Sequence, residues 1–180
     1  MKIFSASILS LVLLLATGCS STNGTKVKEP FSGKKYTSNA RYFRAVGNGV
    51  STRDNVASSK ADIEAHKDLA QQVTTTIKVV TDAYMQDVQG EHVNQAVERF
   101  ESLAREITNT TIGDLRKLDE VKYQRKDGSY SVFVAYEIKK KAMFKFLKKK
   151  AKMDSEISPL ARTQIINMCD QEIERLDSLE

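Results

Sequence analysis

Residues 121–138 read VKYQRKDGSYSVFVAYEI, the pattern of a β-hairpin. Apolar and polar residues alternate on both sides of Asp127-Gly128, a favoured dipeptide for a tight turn between antiparallel strands. A two-residue tip at Asp127-Gly128 pairs Lys126 with Ser129, Arg125 with Tyr130, Tyr123 with Val132 and Val121 with Val134. Val121, Tyr123, Tyr130, Val132, Val134, Tyr136 and Ile138 then share one face. The other face carries Lys122, Gln124, Ser131 and Glu137, with Phe133 and Ala135 as exceptions. A face this apolar needs a cover, and a slip of one residue would turn its partner residues the other way.

The cover lies upstream. Arg41-Tyr42-Phe43-Arg44-Ala45-Val46 reads as a short strand, and Gly47-Asn48-Gly49 reads as its breaker. Ser51 or Asp54 then caps a helix. Ala61, Ala65, Leu69, Val73, Ile77, Val80, Tyr84 and Val88 recur every three or four residues, which is one face of a long helix. Its start is alanine-rich, so another element can approach it closely. Gly90 breaks it, and Val93, Ala96, Val97, Phe100, Leu103, Ala104 and Ile107 make the stripe of a second helix. The two form a helical hairpin.

Downstream of Ile138 a lysine-dense helix runs from Lys139 to Lys152, with Met143, Phe144, Phe146, Leu147 and Ala151 on its apolar side. Ser158-Pro159 is a helix start, and Ile165, Ile166, Cys169, Ile173 and Leu176 continue as a last amphipathic helix. The expected fold is α+β: a three-stranded antiparallel sheet packed against a long helical hairpin, with extra C-terminal helices.

The amino terminus carries a different message. Lys2 is followed by a short apolar run, Ile8 to Leu15, and then by Ala16-Thr17-Gly18-Cys19. A charged start, an apolar core too short to span a bilayer and small residues before a cleavage point describe a secretory signal. The cysteine directly after them makes it resemble a bacterial lipoprotein signal, although Leu15 sits one position further back than the usual leucine. That resemblance implies cleavage before Cys19, a diacylglycerol thioether on its sulfur and an N-acyl chain on the new terminus. Two acyl chains, at ~0.8 kcal/mol per buried methylene, anchor a protein stably. Ser20 at the next position leans, by the enteric sorting rule, towards the outer membrane. The parts are then a signal peptide at 1–18, the lipidated cysteine and a flexible tether at 19–40, a domain at 41–152 and a helical extension at 153–180. A free coil the length of that tether spans ~25 Å on average.

Without residues 1–18 the chain has 27 basic and 23 acidic side chains, a net charge of +4. This mild basicity does not argue for nucleic acid. With Cys19 acylated, Cys169 is a lone thiol, so an intramolecular disulfide and a cysteine metal site are excluded. Burial of Cys169 is expected over a bridge between two copies.

The order of these parts resembles the LPP-twenty family of bacterial lipoproteins, which includes a flagellar outer-membrane protein. The resemblance covers residues 40–150 and rests on Gly47 and Gly49, the Ala61/Ala65/Leu69 stripe within AHKDLAQQV with Gln71 and Gln72, and the strand from Tyr130 to Tyr136. It implies a helical layer on a three-stranded antiparallel sheet, with no agreed enzymatic activity. Flagellar members build rings at the outer membrane.

No catalytic, cofactor or metal site is predicted. Gly47-x-Gly49 lies where a dinucleotide fingerprint would, but its third glycine falls at Thr52. A tight strand-to-helix turn explains the pair better. His66 lies on the long helix beside Asp62 and Glu64 and His92 at the inter-helix turn, neither read as a metal ligand, and Ser32-x-x-Lys35 falls inside the tether. The strongest charge feature is the run Lys139, Lys140, Lys141, Lys145, Lys148, Lys149, Lys150 and Lys152. It reads either as a solvated face or as a contact for an anionic surface. The expected function is that of a non-enzymatic, lipid-anchored envelope protein facing the periplasm. It works as a scaffold, by association with other copies through unprotected sheet edges and the C-terminal stripe. The alternatives are a module whose groove, between sheet and helical hairpin, binds a small ligand or envelope polymer, and a flagellum-associated component.

Overall fold

The computed structural model describes residues 28–88, 90–110 and 115–179. Among them the chain runs β1 (Tyr42–Ser51), α1 (Asp54–Asp87), α2 (Glu91–Thr110), β2 (Arg116–Gln124), β3 (Tyr130–Lys139), α3 (Lys140–Met153) and α4 (Pro159–Asp177). The fold is α+β, with one three-stranded antiparallel sheet ordered β1-β3-β2. Cys19 and the signal sequence lie outside the described residues.

The alanine-rich start of α1 is what brings helix and sheet together. Ala57, Ala61, Ala65 and Leu69 are fully buried along one stripe. Their partners include Gly47 and Gly49, which lie inside β1 where the composition predicts a break. A Cβ on Gly47 would come 1.9 Å from the Ala61 carbonyl oxygen, and one on Gly49 would come 2.0 Å from that of Ala57. The glycines therefore serve contact between backbones, not a turn after the strand.

The second half of α1 buries Val73, Ile77, Thr81 and Tyr84, and packs on α2. Val88, predicted on the stripe, is instead the partly exposed C-cap. Arg53 is the N-cap and makes no side-chain cap, while Asp54 lies in the first turn. All seven predicted stripe residues of α2 are buried. Ser158 caps α4 by accepting from the Ala161 N–H, with Pro159 following.

One apolar cluster runs from Phe43 and Ile138 in the sheet through Phe100, Phe144 and Leu147 to Ile165, Met168 and Leu176. The last helix thus shares the core of the rest. Most of the stripe expected to need a neighbouring copy is already covered: Cys169 and Leu176 are buried against the chain's own helices and Ile173 packs on the same core, while Ile166 stays partly exposed.

The hairpin register is one residue away from the predicted pairing. Tyr123 lies opposite Ser131 and Val121 opposite Phe133. The turn explains the shift. Arg125 N–H donates to Ser129 O at 2.8 Å, and Gly128 N–H to Arg125 O at 3.0 Å, closing a three-residue loop. Gly128 takes φ +81° and Asp127 stays at negative φ, whereas the two-residue turn needs both positive. The Asp127 carboxylate accepts from the N–H and hydroxyl of Ser129 and fixes this loop. Val121 and Tyr123 consequently lie with Phe133 on the sheet face away from α1, and the Tyr123 and Phe133 rings meet edge-on at 6.2 Å. On the helix side β2 presents Lys122, which pairs with Asp54 at the start of α1.

Residues 28–40, predicted as part of a loose tether, are fastened to the sheet. The Tyr36 hydroxyl donates to Asp119 at 2.9 Å, and the Phe31 and Tyr36 rings meet at a tilt, their centres 4.9 Å apart. Pro30 and Phe31 border a small cavity with Val46 and Phe133 on the outer face. This strap helps explain why Ser131, Ala135 and Glu137 are buried although they face away from α1.

Both sheet edges are protected, contrary to the prediction. On β1, Tyr42 N–H donates to Asn39 Oδ1, Arg44 N–H to Ser38 Oγ and Asn48 N–H to Glu64. Gln72 donates to the Arg44 carbonyl and Lys60 to that of Val50. Edge strand β2 carries Arg116, Lys117, Asp119, Glu120 and Lys122, with a register irregularity between Lys117 and Asp119. Charge and irregularity of this kind discourage pairing with another strand.

Candidate functional site

The lysine run divides once it is folded. Lys141 pairs with Asp177 and Lys148 with Asp170, tying α3 to α4. Lys150 stands over the Phe146 ring at 5.6 Å, and Lys139 borders a small cavity with Arg116 and Glu137. Lys145, Lys149 and Lys152 are exposed and form no ion pair with a described residue. Their spacing of four and three puts them on one helix face, a cationic ridge. Met153 continues it, 72% exposed.

Lys140 goes the other way. Its ammonium lies 4.6 Å from the centre of the Phe43 ring, itself buried, and has no carboxylate in ion-pair reach. Burial lowers its pKa from the ordinary lysine value; Arg175 adds to the fall and Glu172 opposes it. It lines an open cleft of about 390 Å³ between the start of β1, the middle of α1 and the start of α3. The cleft is otherwise lined by Ser38, Phe43, Asp68, Gln71, Gln72, Thr75 and Thr76. Gln72 is its fixed floor. It donates to the Arg44 carbonyl at 2.9 Å and to Asp68 at 3.3 Å, and accepts from the Ser38 hydroxyl at 2.6 Å.

Sequence reasoning missed this cleft. Its residues come from three separated segments, and only Gln71 and Gln72 stand out in the chain.

The histidines do not converge on anything. His92 is exposed on α2. His66 is half-buried, its ring 5.0 Å from that of Tyr136, and its Nε2 is buried with no hydrogen-bond partner. Tyr136 donates to Asp62 at 2.9 Å. Among the described residues, no three His, Cys, Asp or Glu side chains are placed to hold a metal ion. Where a dinucleotide phosphate would approach Gly47 and Gly49, the backbone of α1 already lies. Lys35 of the Ser-x-x-Lys match reaches Asp119. Burial, with Asp170 nearby, pushes the Cys169 thiol up to about 12, and a thiol so held is a poor nucleophile.

Among the described residues no helix is long and apolar enough to cross a membrane. No family model, curated protein or solved structure matches the chain.

Proposed function

We propose that this chain is a lipid-anchored envelope protein, acylated on Cys19 and facing the periplasm from the outer membrane, that works by association and not by catalysis. The observation that carries this reading is the exposed ridge Lys145–Lys149–Lys152, without ion-pair partners among the described residues while Lys141 and Lys148 are neutralised within the fold. Each lysine near an anionic surface contributes about 1 kcal/mol, and a basic surface added to acyl chains makes a second attachment signal. The strap supports the same picture. Pro30 already touches the domain, eleven residues after Cys19. Fully extended, that link reaches about 40 Å, so the domain stays close to the surface that holds its acyl chains. A homo-oligomer on that surface would use faces other than the closed sheet edges.

Cell fractionation of a Cys19→Ser variant tests the anchor, read together with the mass of the mature amino-terminal peptide. The wild type should fractionate with the outer membrane and carry the acyl mass. The variant should lack it and move to the soluble periplasmic fraction. An unacylated Cys19 in the wild type would overturn the proposal.

A further inference from the structure

The cleft beside Lys140 is used by nothing in the proposed attachment. Its chemistry is specific. Lys140 sets its ammonium on an apolar ring, half withdrawn from water, with no carboxylate of a described residue in ion-pair reach and only Glu172 acting from farther off. A charge held that way is favoured by an anion that replaces the lost hydration. Gln71, Thr75 and Thr76 line the same cleft from consecutive turns of α1, and none has a hydrogen-bond partner among the described residues. A carboxamide and two hydroxyls are each donor and acceptor, the capacity that a sugar hydroxyl matches on both sides. Asp68, at the rim, adds an acceptor. Gln72, between them, is held by three hydrogen bonds and is in place before anything binds. The cleft, about 390 Å³, is broadly open to solvent, so a ligand held there is bound weakly.

We propose that this cleft binds an acidic saccharide, its carboxylate on Lys140 and its hydroxyls on Gln71, Thr75 and Thr76. Asp68 sets the orientation: it repels the carboxylate from its own end of the cleft and accepts from a hydroxyl instead. The site does not depend on the lipid anchor or on the exposed ridge, and it fails or stands separately from them.

The test uses the full mature chain carrying Cys19→Ser, titrated with glucuronate, glucose and acetate while backbone amide resonances are followed. Glucuronate should shift the amides of Gln71, Thr75, Thr76 and Lys140 saturably in the millimolar range. Glucose and acetate should each bind at least tenfold more weakly, because each lacks one half of the recognition. Lys140→Met should bring glucuronate down to the level of glucose. Gln71→Ala with Thr75→Ala, both on an exposed helix face, should bring it down to the level of acetate. Replacing Lys145, Lys149 and Lys152 with glutamine should leave glucuronate binding intact. No saturable shift at the cleft, equal binding of glucose and glucuronate, or loss of binding only in the ridge variant would each overturn the proposal.

Discussion

A methyl group on Gly47 would meet the Ala61 carbonyl oxygen at 1.9 Å and the Ala65 nitrogen at 2.7 Å. Both are backbone atoms of a helix whose far half is held by α2, so neither can step aside alone. Gly47→Ala should therefore cost more than about 3 kcal/mol, the range of severe overpacking. Gly128→Ala is the control. Nothing lies within 4 Å of its added methyl, and only the φ of +81° opposes it. Its cost should be about 1 kcal/mol, the strain of a left-handed residue. Chemical denaturation of both variants separates the two: equal losses would contradict the close contact of α1 with β1. The sequence names the glycines but not their use. Gly-Asn-Gly has the composition of a turn, and only Ala57, Ala61 and Ala65, eight to eighteen residues further on, give it the meaning of a docking groove.

At the scale of the elements, Glu137 on β3 holds the sheet's outer face together. It accepts from Arg44 on β1 at 2.9 Å and from Arg116 on β2. Burial alone would raise its pKa, and the hydrogen bonds from Arg44 and Arg116 outweigh it, holding the carboxyl below its ordinary value. A depressed folded-state value stabilises the fold above the unfolded pKa, about 4.3, and that stabilisation is lost as pH falls through the folded one. Glu137→Gln should cost about 3 kcal/mol at neutral pH, because it leaves the mostly buried Arg44 without its counter-charge. It should also flatten the acid limb of stability against pH. An acid limb as steep as the wild type's would contradict this role. The hairpin itself is legible from Tyr130 to Ile138, where five alternate residues face the core. Its register is not. Asp127-Gly128 suits a two-residue turn and also a three-residue loop closed by a glycine, and the alternation of Val121 and Tyr123 favours the wrong one. These two residues are apolar because Phe133 lies across from them on the outer face, a contact that no local pattern announces.

The molecule as a whole has one core and two unlike surfaces. The periodicity of α1, α2 and α4 makes their buried faces legible, because burial there follows the helix turn. Which lysines of α3 remain outside is not legible, since Asp170 and Asp177, which bind Lys148 and Lys141, lie on another helix. The cleft is hidden for the same reason, as its residues meet only in the folded chain. The central claim is that the lysines left outside meet an anionic surface. Sedimentation of the unacylated Cys19→Ser chain with lipid vesicles tests it most directly. Vesicles containing phosphatidylglycerol should carry the protein down and release it as salt rises, because exposed charges are screened within ~10 Å at 0.1 M. Vesicles of phosphatidylcholine alone should not. Replacing Lys145, Lys149 and Lys152 with glutamine should weaken binding about a hundredfold, three lysines at about 1 kcal/mol each. Equal binding to both vesicles, binding to neither, or a triple variant that binds as the wild type does would contradict the account.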